Sequence, residues 1–186
     1  MKTIIQFYSK AKSFESLSNF YNECAQVEID EFGAYEKAHE AMIEAKRQLD
    51  KSDAANKQQK QNLLLTKIRY LEQFCEARQL LNQGNSDGMA NIVVALVDAP
   101  GVEDAIQLGD VYSMLIKHFC QKSDPQQAYQ FYEKMKRKKI QALKYLDAKL
   151  VEDMHRSLGM SPPNEAGRAG GHVNDDIEED IPEDDF

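Results

Sequence analysis

Histidines and cysteines are the side chains in this sequence that could bind a metal ion or act as nucleophiles. A metal site needs several such ligands at close, regular spacing, as in the HExxH and paired CxxC motifs. Neither motif occurs in the sequence. The residues concerned are His39, His118, His155, His172, Cys24, Cys75 and Cys120. They are dispersed over separate predicted helices and the C-terminal tail, so we expect no metal ion and no other cofactor.

Carboxylates and glycine-rich loops make no stronger case for catalysis. Glu28, Asp30 and Glu31 are close in sequence, but general acid–base catalysis also requires a pocket and a partnered base. Carboxylates at the rim of a helical hairpin are more typical of a solvated face. A glycine-rich run at residues 167–171 lies in the tail, whereas a phosphate-binding loop joins a strand to a helix. An enzyme is therefore the least favoured class of function.

The charge of the chain is concentrated at its C-terminal end. Residues 164–186 contain nine acidic residues and one basic residue, which accounts for the whole net charge of −8. The preceding 163 residues are balanced, and a neutral body offers little attraction for a nucleic acid. The sequence also has no apolar run long enough to cross a membrane and no secretory signal. We therefore expect no nucleic acid, no membrane insertion and no small-molecule substrate among its partners.

A helical hairpin is predicted at residues 20–47, where two amphipathic patterns meet at Gly33. Apolar residues three or four apart form one face of each helix. Gly33 tolerates the left-handed backbone that ends a helix. The apolar positions are Leu17, Tyr21, Cys24, Ala25, Ile29 and Phe32 in the first helix, and Tyr35, Ala38, Met42, Ala45 and Leu49 in the second. A tetratricopeptide unit has this order of small and large residues, although any antiparallel pair with alanines at the crossing would share it.

The same pattern recurs along the chain. A second copy contains Tyr112, Leu115, Ile116 and Phe119, followed by Ala128, Tyr132 and Met135. A weaker third copy contains Phe74, Ala77 and Leu81, followed by Ala90, Val94 and Val97. Recurrence favours an all-α fold, a tetratricopeptide-like α-solenoid of antiparallel helical hairpins with a C-terminal capping helix. We divide the chain into a helical repeat domain, 1–159, and a disordered acidic tail, 160–186, which is too poor in apolar residues to fold alone.

Several helix boundaries are predicted from turn and cap residues. Ser13 is expected to cap a helix from Phe14 to Phe32, and Asp124-Pro125 starts another. Residues 52–61 form either a loop or the first turns of the next helix. The run IVVALV is assigned to a helix and not to a strand. A further helix is predicted from Glu103 or Asp104 to Lys122, with Gly109 at a close helix crossing, and a last helix follows Asp147.

Residues 4–11 resemble the second helix of a tetratricopeptide unit whose first helix is missing. A repeat helix without its neighbour leaves an apolar face uncovered. We therefore expect this chain to be the C-terminal piece of a longer solenoid. The alternative is a lone capping helix at the start of a complete small protein.

Two segments are candidates for partner binding. The first is the basic run Lys134, Lys136, Arg137, Lys138 and Lys139. It either complements the negative end of its own helix or forms a docking patch for an acidic partner or the chain's own tail. The second comprises the apolar residues Ile177, Ile181 and Phe186, which punctuate the acidic tail. They form either a short binding motif or part of a solvating tail.

Four segments carry a resemblance to a known family. They are FYNECAQVEIDEFGAYEKAHEAMIEAK, IQLGDVYSMLIKHF, AYQFYEKM and VEDMHRSLG. Together they resemble the C-terminal part of the intraflagellar transport protein 140 family, over about Ile5 to Gly159. Members of this family carry β-propellers followed by a long tetratricopeptide-type solenoid. This sequence contains no propeller, as expected for a C-terminal piece.

The resemblance implies a non-enzymatic scaffold of the intraflagellar transport A complex. Its implied roles are retrograde ciliary transport and ciliary entry of membrane proteins. The implied partners are other subunits of that complex. The implied locations of the chain are the cilium, the ciliary basal body and the cytoplasm. The family offers no catalytic residues to transfer.

A generic peptide-binding adaptor of the co-chaperone type is the alternative function. Such a clamp needs cations and amides that converge on a peptide carboxylate. Lys10, Asn22, Arg47 and Arg78 are available, but they do not fall at regularly repeated positions.

Overall fold

The computed structural model describes residues 2–161, and all regular structure in this range is helical. Eight α-helices are present in it: α1 Lys2–Lys10, α2 Phe14–Asp30, α3 Tyr35–Leu49, α4 Lys57–Asn82, α5 Ser86–Val97, α6 Leu108–Gln121, α7 Pro125–Arg137 and α8 Ala148–Ser157. Two short 3₁₀-helices, Val102–Asp104 and Ala142–Lys144, lie in the connections before α6 and α8. The all-α prediction is confirmed, and IVVALV is helical.

The helices pack in chain order as stacked hairpins. The most extensive packing joins α2 to α3. Helix α3 then packs on α4 about as extensively as α4 on α5 and α6 on α7, and α5 packs on α6. Small residues allow this close approach, and Ala25, Ala38, Ala45, Ala77 and Ala128 are fully buried. One continuous cluster of buried apolar side chains extends from Ala25 to Met154. This arrangement is the predicted α-solenoid, in which each hairpin buries its apolar face against the next.

The α2–α3 hairpin forms where the sequence predicts it. Gly33 has φ +57°, in the left-handed region, and its amide donates to the carbonyl of Ile29 at 3.1 Å. However, α2 ends at Asp30, and Phe32 is 71% exposed. The assignment of Phe32 to the buried stripe is therefore wrong, because the turn carries it past the face that packs on α3.

The predicted stripe of the weaker third repeat also needs correction. Val94 and Leu81 are exposed by 43% and 39%. In α5 the buried face is set by Met89, Val93 and Leu96, whose spacing of three and four residues places Val94 to one side. The polar residues 52–61 divide between the two predicted alternatives, since α4 begins at Lys57.

The start of α6 is a further correction. The predicted helix from Glu103 or Asp104 is interrupted, because Val102–Asp104 forms a 3₁₀-helix and Gln107 has an extended backbone with ψ 113°. Val102, Ala105 and Ile106 are nevertheless buried. Their helical spacing reflects burial of this connection against neighbouring elements and not a continuous helix.

No helix within residues 2–161 has the combined length and apolar character that crossing a membrane requires.

Side-chain caps are present at some of the predicted positions. Asp124 Oδ1 accepts a hydrogen bond from the Gln127 amide at 3.1 Å, with Pro125 as the first residue of α7. Asp147 Oδ1 accepts from the Lys149 amide at 2.7 Å. Ser13 precedes α2, but its hydroxyl donates to Ser16 Oγ at 2.8 Å and caps no backbone amide. Ser13 is therefore the residue that precedes α2, as predicted, but the predicted hydrogen bond from a backbone amide to its hydroxyl is absent.

Asp124→Ala is expected to lower the free energy of unfolding by about 1 kcal/mol, because it leaves an amide of the first turn without its acceptor. Ser13→Ala is the matched control. Since Ser13 makes no cap bond, we expect its replacement to change stability by less than about 0.5 kcal/mol. Urea unfolding followed by circular dichroism measures both values. Equal losses for the two variants would contradict the assignment of the caps.

The first helix presents apolar side chains to solvent. Helix α1 packs on α2, yet Ile4 and Phe7 remain 44% and 67% exposed. This exposure agrees with the expected uncovered apolar face. Phe7 and Phe32 are the two most exposed large apolar side chains in the described range.

Candidate interaction surfaces

The histidines have separate structural surroundings. His118 is buried in α6, with Nε2 3.7 Å from Asp87 Oδ1. His155 is buried in α8, where its Nδ1 lies 2.7 Å from the carbonyl oxygen of Val151. The centre of the His155 ring lies 5.4 and 5.3 Å from the ring centres of Tyr129 and Tyr132. Residues 2–161 contain no group of three histidine, cysteine or carboxylate side chains placed to hold a metal ion. His172 lies outside the described residues.

The three cysteines are free thiols, partly buried on separate helices. Burial, with a smaller effect from the Glu36 carboxylate, raises the pKa of the Cys75 thiol to about 11. Burial also raises the pKa of Cys24 and of Cys120. Because the thiolate is the reactive form, these environments suppress nucleophilic reactivity near neutral pH.

Cys75 in the folded chain is expected to react with iodoacetamide at pH 8 at least tenfold more slowly than in urea. A raised pKa leaves little thiolate at pH 8, and its fraction grows about tenfold per pH unit below the pKa. A chain with Cys24→Ser and Cys120→Ser reports on Cys75 alone, with rates followed by mass spectrometry from pH 7 to 10. Equal rates in the folded and unfolded chains would contradict the assigned burial.

The side chains proposed for a peptide clamp do not converge. Arg78 donates to the Gly33 carbonyl at 3.1 Å and to Glu36 at 3.3 Å, near the start of α3. Arg47 pairs with Glu44 at 2.7 Å, near the opposite end of the same helix. At 1.5 Å per residue, Glu36 and Arg47 are about 16 Å apart along α3. Asn22 contacts Glu23 on α2, and Lys10 lies on α1, so the structure provides no single carboxylate clamp from these residues.

A polar network joins the first hairpin to the start of α6. The Tyr35 hydroxyl donates to Asp110 Oδ2 at 2.5 Å. Gln107 Nε2 donates to the carbonyls of Ile29 and Asp30 at 3.3 and 3.4 Å. Burial, followed by the hydrogen bond to Asp110, raises the pKa of Tyr35 well above its usual value. The tyrosine is therefore a neutral donor at physiological pH, and these bonds are structural.

The network continues into the segment before α8. Tyr145 donates to Gln107 Oε1 at 3.1 Å. Its ring covers Gly109, where an added Cβ would lie 2.2 Å from two ring carbons. The predicted close approach at Gly109 is thus correct, but the neighbour is the Tyr145 ring and not another helix. Sequence reasoning did not identify Gln107, Asp110 or Tyr145, and Gly109 was the only signal that pointed to this contact.

The connection between α5 and α6 lies against α4. Tyr70 of α4 donates to the Pro100 carbonyl at 2.9 Å, and the 3₁₀-helix Val102–Asp104 packs on α4. Asp104 also lines a cavity of about 400 Å³ together with Ser18 of α2 and Leu64 of α4. The α5–α6 connection therefore covers part of the surface of α4 and approaches α2.

The predicted basic run is exposed at the end of α7. Lys134 lies 3.3 Å from Asp98, and Lys136 lies 3.5 Å from Glu133. Arg137, Lys138 and Lys139 are exposed, and no ion pair within the described part of the chain involves them. Lys134, Lys136 and Arg137 occupy the last turn of α7, where a cation also complements the helix C-terminus.

A shallow groove of about 410 Å³ adjoins this basic run. Its surface is formed by the connection before α6, the first turn of α6 and the connection before α8, and Lys138 stands at its edge. Its lining comprises Glu103, Ile106, Gln107, Leu108, Gly109, Lys138, Ile140 and Tyr145, so that one carboxylate and one cation both border it. Lys144 adds a second cation, with Nζ 5.3 Å from the centre of the Tyr145 ring. The second candidate segment, with Ile177, Ile181 and Phe186, lies in residues 162–186, outside the described range.

Comparison with known protein families finds a match over the stacked hairpins. Residues 15–136 match the family described as the C-terminal tetratricopeptide-repeat domain of intraflagellar transport protein 140. The matched range runs from the first turn of α2 to the last turn of α7 and includes all three hairpins.

Proposed function

Because this chain belongs to the family of C-terminal tetratricopeptide-repeat domains of intraflagellar transport protein 140, we propose that it is a non-enzymatic scaffold segment of an intraflagellar transport A complex subunit. In this role it contacts other subunits of the complex. It contributes to retrograde ciliary transport and to the ciliary entry of membrane proteins. Its proposed locations are the cilium, the ciliary basal body and the cytoplasm.

The observation that carries this proposal is the array of three stacked hairpins within the family match. A solenoid of this kind presents long surfaces formed by successive repeats, which suits binding to other folded proteins. The described chain also exposes large apolar side chains. Val27, in the last turn of α2, and Phe32, in the turn that follows α2, are exposed by 51% and 71%. Exposed large apolar side chains near one turn of the chain are candidates for a protein–protein contact.

Affinity capture from ciliated cells tests the proposal. The tagged chain is expected to recover other subunits of the intraflagellar transport A complex, identified by mass spectrometry. Replacing Val27 and Phe32 by serine is expected to reduce that recovery at least fivefold. The matched control replaces Leu63 and Leu65 of α4, which are exposed by 60% and 46%, and is expected to keep at least half of the recovery.

The proposal fails if the unmodified chain recovers no subunit of the complex above the level of an unrelated helical repeat protein of similar size. If both pairs of serine substitutions reduce recovery equally, the other subunits do not bind specifically near the α2–α3 connection that contains Phe32. Circular dichroism of each purified variant verifies that its helix content is unchanged.

A further inference from the structure

The end of α7 has more positive charge than its surroundings neutralise. Asp98 and Glu133 pair with Lys134 and Lys136. Within residues 2–161, no acidic side chain pairs with the three consecutive cations that follow, Arg137, Lys138 and Lys139. Like charges on adjacent residues repel each other and favour an acidic ligand.

The groove beside these cations is suited to apolar side chains. Ile106 is buried at its base, while Ile140 and Tyr145 are partly exposed. Lys138 and Lys144 stand at its edge. A ligand that fits this surface therefore combines several carboxylates with a few aliphatic or aromatic side chains.

The chain contains one segment with that composition. Residues 174–186, NDDIEEDIPEDDF, have eight acidic residues, no basic residue and the apolar residues Ile177, Ile181 and Phe186. We propose that this segment binds in cis to the groove and to the adjacent cations Arg137, Lys138 and Lys139.

The connecting segment is long enough for this contact. His155 packs on Tyr129 and Tyr132, so α8 ends beside the middle of α7. From Tyr132 to Lys138, the helix rises by about 9 Å. The 14 residues from Ser161 to Asp175 can span up to about 45 Å when extended. Covalent linkage also raises the effective concentration of the tail to the millimolar range, so even a weak contact in trans becomes occupied in cis.

Peptide binding to two forms of the chain tests the proposal. The shortened form contains residues 1–163 and retains all the helices and the continuous buried core described above. A fluorescein-labelled peptide of residues 172–186 is titrated with each form, and its fluorescence anisotropy is measured at 50 mM salt. We expect micromolar binding to the shortened form and at least tenfold weaker binding to the full chain, because the attached tail competes. Raising the salt to 300 mM is expected to weaken binding at least fivefold.

Two variants separate a specific site from general charge attraction. The shortened form with Arg137, Lys138 and Lys139 all replaced by glutamate is expected to lose at least 20-fold in affinity. Its matched control, Lys10→Glu with Lys37→Glu and Lys67→Glu, has the same change in charge and is expected to lose less than threefold. A peptide with Ile177, Ile181 and Phe186 replaced by serine keeps its full charge and is expected to bind at least fivefold more weakly.

Three results would overturn the proposal. Equal peptide affinity for the full and shortened forms would show that the attached tail does not occupy the site. Equal losses of peptide affinity in the two triple-glutamate variants would show that binding depends only on net charge. A dimer of the full chain that dissociates in the shortened form, measured by light scattering, would place the tail on a second copy. None of these measurements involves another subunit, so they are independent of the proposed scaffold function.

Discussion

Replacing Phe74 by alanine is expected to lower the free energy of unfolding by about 3–5 kcal/mol, the usual cost of removing a buried aromatic ring. Phe74 is 1% exposed. Its ring and the Tyr35 ring form a T-shaped pair with centroids 4.7 Å apart. The variant leaves a cavity between α4 and the start of α3, next to the bond from Tyr35 to Asp110. Urea unfolding followed by circular dichroism measures the loss.

The same helix provides a control for this prediction. Leu63 of α4 is 60% exposed, and Leu63→Ala is expected to cost less than about 0.5 kcal/mol. Comparable losses at the two positions would show that α4 does not bury the face described here. A Phe74→Leu change preserves part of the ring volume and is expected to recover about half of the alanine loss.

Gly109→Ala is expected to destabilise the fold by about 1–3 kcal/mol, the cost of inserting a methyl group into a filled space. In most helices the same change stabilises by about 1 kcal/mol, because alanine is the better helix former. Here the new Cβ would lie 2.2 Å from the Tyr145 ring. The ring must move, and its hydrogen bond to Gln107 is lost.

A double-mutant cycle isolates this contact. In a chain that already carries Tyr145→Ala, the space beside Gly109 is empty. Adding Gly109→Ala is then expected to stabilise by about 0.5–1 kcal/mol, as in an exposed helix. The sign of the Gly109→Ala effect therefore reverses between the two backgrounds, with a coupling of at least about 1.5 kcal/mol. A stabilising effect in both backgrounds would contradict the contact.

The order of the helices could be predicted because local signals agree with the packing. Asp124-Pro125 starts α7, and Gly33 lies in the connection between α2 and α3. The buried alanines mark the places where neighbouring helices approach each other closely. These features act within a few residues, so a single sequence is sufficient to identify them. The start of α6 was predicted too early, at Glu103 or Asp104, for a different reason. Val102 and Ile106 are four residues apart, as in a helix, but their burial comes from contacts with distant parts of the chain.

The polar network was beyond sequence reasoning for the same physical reason. Gln107 and Ile29 are 78 residues apart, and neither residue type indicates such a bond. The exposure of Phe32 depends on the direction of the chain after α2, which the apolar spacing alone does not specify. By contrast, the solvent exposure of the basic run could be expected from composition, since five cations fall within six residues.

The bonds made by Gln107 have a consequence for the mechanics of the array. A solenoid held together only by neighbouring repeats can be peeled apart one hairpin at a time. Gln107 instead ties the end of α2 to the start of α6 across the intervening hairpin, and Tyr145 extends that tie towards α8. A force that pulls the two ends of the described chain apart would have to break these hydrogen bonds together with the packing of α3 on α4. The three hairpins would then resist stretching as one unit.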